Sequence, residues 1–93
     1  MSKVEVLHEN GRFVLVSDGV MAAELTYRVE DGVMSIIHTY TVPRFRGKGY
    51  AGMLMREALR YAEKNGLKVR PVCSYAVAYV RKHSEYKHLY VRF

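Results

Sequence analysis

The chain has a single cysteine, Cys73, and no tryptophan in 93 residues. One thiol rules out an intrachain disulfide, so the fold must be held by packing and hydrogen bonds. No apolar run approaches the roughly 20 residues that a membrane-crossing helix requires. Met1–Glu5 carries no long apolar core of the secretory kind. These absences point to a reducing, cytoplasmic setting with no membrane partner. The four histidines, His8, His38, His83 and His88, form no close ligand pair, so no metal is expected. Ser35, Ser74 and Ser84 do not sit in a nucleophile elbow. No block of like charges, internal repeat, low-complexity tract or linker divides the chain.

What remains is compact and basic. Apolar residues make up 49% of the chain, enough for a globular core, and the length suits one domain over 1–93. Fifteen basic and nine acidic residues give a net charge of +6. That charge fits a phosphorylated ligand, a nucleic acid, or only a basic surface.

The first half reads as an antiparallel meander. Asn10-Gly11, Asp18-Gly19 and Asp31-Gly32 are pairs that tolerate the left-handed backbone of tight hairpins. They separate expected strands near 3–8, 12–17, 20–30 and 33–42. In the third, Met21, Ala23, Leu25, Tyr27 and Val29 alternate with polar or small residues, so one face should meet the core. Then Ala51, Leu54, Met55, Ala58, Tyr61 and Ala62 recur at helical spacing. This predicts a helix over 49–65, closed by Asn65-Gly66 with Leu67 packing after the cap. A strand over 68–72 follows. Ser74 is expected to cap a second helix over 75–82, with Ala76, Val77 and Val80 on one side. Residues 89–93 could add a last edge strand. The fold class is α+β, in the order β-β-β-β-α-β-α with that strand optional.

Between the fourth strand and the first helix lies Thr41-Val42-Pro43-Arg44-Phe45-Arg46-Gly47-Lys48-Gly49-Tyr50-Ala51. A strand that ends in a glycine turn and a helix start makes an anion site, because the first helical amides lack partners. Arg44, Arg46 and Lys48 add charge, and a diphosphate is the natural guest. The stretch matches neither the dinucleotide fingerprint nor the phosphate-binding P-loop, each of which needs a different glycine spacing.

Arg44-x-x-Gly47-x-Gly49 resembles the acetyl-coenzyme A signature of the GNAT superfamily of N-acetyltransferases. Further blocks in order strengthen the resemblance: His38-Thr39-Tyr40-Thr41-Val42-Pro43, Asn65 through Cys73, and Ala78 through Tyr86. They are similar to the short, single-domain branch of that superfamily. The resemblance implies acetyl-coenzyme A as cosubstrate and a primary amine, of a protein or a small molecule, as acceptor. It implies that strand residues Tyr40, Thr41 and Val42 hold the pantetheine arm. It further implies that Arg44, Phe45, Arg46, Gly47, Lys48, Gly49, Tyr50 and Ala51 hold the diphosphate.

For chemistry, the resemblance singles out Cys73, which would face the acetyl group and either form an acyl-enzyme or move a proton. The open amides of a helix start favour a thiolate there, although a lone cysteine is more often inert and buried. His38, expected to share a face with Ile36, Tyr40 and Val42, suits a general base. The glutamate that larger relatives carry on this strand is missing, since no carboxylate lies between Asp31 and Glu57. Tyr79, or its neighbour Tyr75, corresponds to the tyrosine that protonates the leaving thiolate in larger relatives. A competing reading is a basic nucleic-acid-binding module without catalysis, in which Tyr79, Arg81, Lys82, Tyr86, Lys87 and Tyr90 form an aromatic, cationic surface.

Overall fold

The computed structural model describes residues 3–91. Strands β1 (Val4–Glu9), β2 (Arg12–Ser17), β3 (Val20–Glu30) and β4 (Val33–Thr41) are followed by helix α1 (Tyr50–Lys64), strand β5 (Lys68–Pro71) and helix α2 (Ser74–Lys82). The sheet runs β1-β2-β3-β4-β5. The first four strands are antiparallel neighbours, and β5 lies parallel to β4 after the α1 crossover.

Local chemistry explains the meander. At two hairpins both turn residues take left-handed backbone angles, φ 50° and 80° at Asp18 and Gly19, 50° and 76° at Asp31 and Gly32. Such turns match the twist of the strands they join. Helix α1 ends as expected: Gly66 adopts φ 68°, and the Leu67 amide reaches back to the Ala62 carbonyl at 2.8 Å.

The α1 stripe Leu54, Met55, Ala58, Leu59 and Ala62 is fully buried. It joins Phe13, Leu15, Leu25, Met34, Ile36 and Val69 of the sheet and Ala76 of α2 in one core. Helix α2 lies beside α1, with the Tyr75 hydroxyl and the Tyr79 ring against Gly52. Both helices therefore cover one face of the sheet. On the other face Leu7, Met21, Ile37 and Tyr40 stay exposed.

Two bulges break the strict alternation expected of the strands. The β2–β3 register slips between Leu15 and Val16, making Ala22 an extra residue; Ala22 and Ala23 are both buried, while Met21 and Val29 are exposed. The β3–β4 register slips so that Thr26 faces His38 and Tyr27 faces Ile36, which leaves Ile37 extra. His38 consequently does not share a face with Ile36, contrary to the sequence expectation.

The second helix begins one residue early, and its cap is Cys73 rather than Ser74. After α2 comes a 3-10 segment, Ser84–Leu89, ahead of the stretch where a last edge strand was optional. A single parallel bridge then joins Tyr90 to Val69. Arg92 and Phe93 of that expected strand lie outside the described residues. Leu89 plugs the core at 5% exposure, and the Tyr90 hydroxyl donates to the His83 carbonyl at 3.2 Å.

Leu54→Ala should cost about 2–5 kcal/mol in urea unfolding, since it leaves a cavity under the sheet. Burial pushes the Tyr90 phenol up from its ordinary value to about 12. Above the unfolded value the folded chain retains a proton that the unfolded chain releases, so stability should fall as pH rises from 10 to 12. Tyr90→Phe should flatten that decline, read as the melting temperature against pH.

Candidate functional site

The site begins where two strands part. Pairing of β4 with β5 runs from Val33 opposite Lys68 to Ile36 opposite Pro71 and stops. The amides of Val72 and Cys73 both donate to the Ile36 carbonyl, at 3.0 and 3.2 Å. The chain then turns away into α2. Beyond Ile36, β4 runs on to Thr41 paired only with β3. Among the described residues nothing pairs with its other edge, so His38–Thr41 offer backbone donors and acceptors to an extended ligand.

At the top of that edge the chain makes a 3-10 turn, Pro43–Phe45, then passes Gly47 at φ 83° and Gly49 at φ 78° into α1. No side chain caps α1, and its first turn holds no carboxylate. The Gly49 carbonyl accepts from the Met53 amide at 3.1 Å. The amides of Tyr50, Ala51 and Gly52 are thus left for a ligand. A cleft of 190 Å³ lies in front of them, lined by Thr41, Arg46, Gly47, Gly49, Ala51 and Tyr75 among others. The positive end of the helix dipole and the Arg46 guanidinium suit an anion there.

The expected binding residues divide into two kinds. Arg44, Arg46 and Lys48 are exposed cations, with Arg44 lying over the Phe45 ring at 4.8 Å. Phe45 and Tyr50 pack together at 6.1 Å, and the Tyr50 hydroxyl meets Ser17 Oγ at 3.4 Å inside the core. Their rings pack in this way while both residues also line the cleft. The Val42 amide is already spent on the Ala22 carbonyl at 2.8 Å. Tyr40 points its side chain to the sheet's bare face, where it is 40% exposed.

Cys73 sits at the mouth of the gap. Its Sγ accepts from the Ala76 amide at 3.4 Å and lies 3.9 Å from the Thr39 hydroxyl. Thr39, next to the expected His38, was not singled out as a side chain. The bulge at Ile37 decides which of the pair turns toward the sulfur, and the alternation alone gave no sign of it. His38 is exposed on the opposite face of the sheet from Thr39.

Of the two tyrosines, Tyr75 is the one beside Cys73. Burial pushes its phenol up, and Tyr79 and Cys73 add to the shift. Burial raises Tyr79 also, opposed by the Arg56 guanidinium. Its ring stacks on His83 at 4.0 Å. Between α1 and α2 runs a second groove of 330 Å³, lined by Met53, Arg56, Tyr75, Tyr79, Lys82 and His83 among others. It meets the first cleft at Gly49, Gly52 and Tyr75. Arg56 comes from α1 and Lys82 from α2, and the pairing of the two helices turns both toward one groove. Among the described residues no cluster of three metal-type ligands exists, and no helix is long and apolar enough to cross a membrane.

The sequence model described as GCN5-related N-acetyl-transferase matches residues 12–89, which takes in the whole site. The chain belongs to this family of N-acetyltransferases. Its fold is that of a GCN5-like protein from Staphylococcus aureus, at 27% identity and a TM-score of 0.80 over 100% of this chain and 93% of that one. An alanine N-acetyltransferase of a ribosomal protein from Escherichia coli shares the fold at 21% identity and a TM-score of 0.66, over 83% of this chain and 50% of that one. A GNAT family acetyltransferase from Brucella melitensis, solved in complex with acetyl-CoA, does so at 19% identity and a TM-score of 0.59, over 73% and 50%. The chain thus spans at most half the length of these last two. No curated protein matches it.

Removing the cap sulfur tests the local geometry. Cys73→Ala should lower stability by about 0.5–1 kcal/mol in urea unfolding, because the Ala76 amide loses its acceptor, and Cys73→Ser should restore most of it.

Proposed function

We propose that residues 1–93 act as one acetyl-coenzyme A-dependent N-acetyltransferase domain. The observation that carries this reading is the parting of β4 from β5 directly below an uncapped helix start. The amides of Tyr50, Ala51 and Gly52, with Gly47 and Gly49 leaving room, take the diphosphate. Arg46 and Lys48 neutralise it, and Arg44 contributes when it leaves the Phe45 ring. The pantetheine arm pairs with the free edge of β4 from His38 to Thr41, as an added strand would. Arg56 and Lys82, in the adjoining groove, suit the anionic nucleotide end.

This pose brings the thioester to the gap beside Cys73 and Thr39. The Cys73 sulfur either accepts the acetyl group and passes it on, or serves only to position it. His38 takes a proton from the acceptor amine on the other side of the gap. Tyr75, which lies beside Cys73 and whose phenol burial pushes up, rather than Tyr79, gives a proton to the departing sulfur. The hairpin at Asn10-Gly11 joins β1 to β2 directly. This leaves the acceptor side open and favours an exposed protein amine.

Two measurements test this. Calorimetric titration should show coenzyme A binding to the native chain, and Gly49→Asp, which puts a carboxylate beside the diphosphate, should weaken it at least about tenfold, the cost of one misplaced charge. Intact mass after incubation with acetyl-coenzyme A should rise by one acetyl group, and Cys73→Ala should lose that gain if the sulfur carries the group. Acetylation of lysines in both proteins would instead establish direct transfer.

A further inference from the structure

The face of the sheet away from the helices lies outside the cofactor pose above, yet it carries a carboxylate of the kind that β4 lacks. No carboxylate lies on β4. On β3, however, Glu24 stands directly opposite Tyr40, with Thr26 opposite His38 in the next pair. Glu24, Tyr40 and His38 therefore share the bare face, beside the stretch of β4 that has left β5. Cross-strand neighbours of this kind lie about 5 Å apart and diagonal ones about 7–8 Å, within reach of long side chains.

The charge on this face is incompletely matched. Lys3 lies 3.9 Å from Glu5, and Arg12 is bound to Glu9 at 2.8 Å. Among the described residues Glu24 meets one cation, the far arm of Arg12 at 3.4 Å, and its side chain is 22% exposed. Val14 beside it on β2 is buried, and Leu7, Met21, Ile37 and Tyr40 surround the pair as exposed apolar residues. A half-desolvated carboxylate in an apolar frame is complementary to an ammonium group on an apolar stem. Neither of the two clefts described above includes Glu24, His38 or Tyr40. A free small molecule would find little enclosure here, whereas a peptide could lie across the strands.

We propose that Glu24 is the acceptor-binding carboxylate of this enzyme, holding the ammonium of a lysine from an extended protein segment laid on the bare sheet face. The inference rests on the transferase reading above. The ammonium loses one proton to His38, and the resulting amine attacks the acetyl carbon. A carbon–nitrogen bond forms, the carbon–sulfur bond breaks, and the second proton leaves with the coenzyme A sulfur.

The test uses the full chain saturated with coenzyme A and an end-blocked peptide bearing one lysine between two leucines. NMR titration should shift the amides of Glu24, His38 and Tyr40, and a control peptide with norleucine in place of lysine should bind about tenfold more weakly, the loss of one charge-assisted contact. Glu24→Gln should weaken the lysine peptide by the same factor and leave coenzyme A affinity unchanged. With acetyl-coenzyme A, the same variant should raise KM for the peptide more than it lowers kcat. Absence of peptide binding, shifts confined to the helix side, or a Glu24→Gln variant that binds the peptide normally would each overturn the proposal. Failure to bind coenzyme A would instead overturn the transferase reading.

Discussion

Separation of two parallel strands after four paired residues governs this structure. The Ile36 carbonyl receives both the Val72 and the Cys73 amide, so β5 spends its last donors on one acceptor and turns off. The bulge at Ile37 does the complementary work on β4, re-aiming the strand so that Thr39 faces the helices and His38 the bare side. A sheet that stayed paired would bury the β4 edge and close the gap. Because it parts, an exposed backbone edge survives inside the fold, bounded by α1 above and by α2 along one side. Exposed edges are ordinarily avoided; here the edge leads straight to an unmet helix start.

Backbone and side chain divide the work at that start. Amides and glycines form the cradle, while Phe45 and Tyr50 anchor the loop into the core through their rings and the Tyr50–Ser17 contact. Rigid support beneath a flexible turn holds the open amides in one direction without a capping side chain. The cations Arg44, Arg46 and Lys48 lie outside it as adjustable charge. Among the described residues the frame has two α-helices, whose faces merge into one core with the sheet.

Covering only one side of the sheet has a second consequence. The helix side collects the cofactor-type features: open amides, cations and the groove at Arg56 and Lys82. The bare side collects apolar side chains around Glu24 and the imidazole of His38. The gap between β4 and β5 lies where the two sides come nearest, and in the proposed reading the two reactants meet there. Cys73 stands there because it ends the diverging strand and caps α2 in the same step.

Much of this was legible in the residues. The turn pairs, the period of two and the 3.6-residue stripe of α1 depend on neighbours in sequence, so strand and helix order, the α1 cap and the anion-type loop followed from them. The family blocks also pointed to the family whose sequence model matches residues 12–89. Local pattern could not reveal the bulges at Ala22 and Ile37, because a register slip is settled by what packs across the strands. It therefore misassigned the face of His38 and overlooked Thr39. The cap at Cys73, the 3-10 segment after α2, and the joining of Arg56 and Lys82 in one groove likewise depend on contacts between distant segments. Sequence alone determined which elements form and what chemistry they carry, since those are short-range properties; the tertiary structure decided which groups meet, because that depends on where β4 and β5 part and on which face of the sheet each side chain emerges.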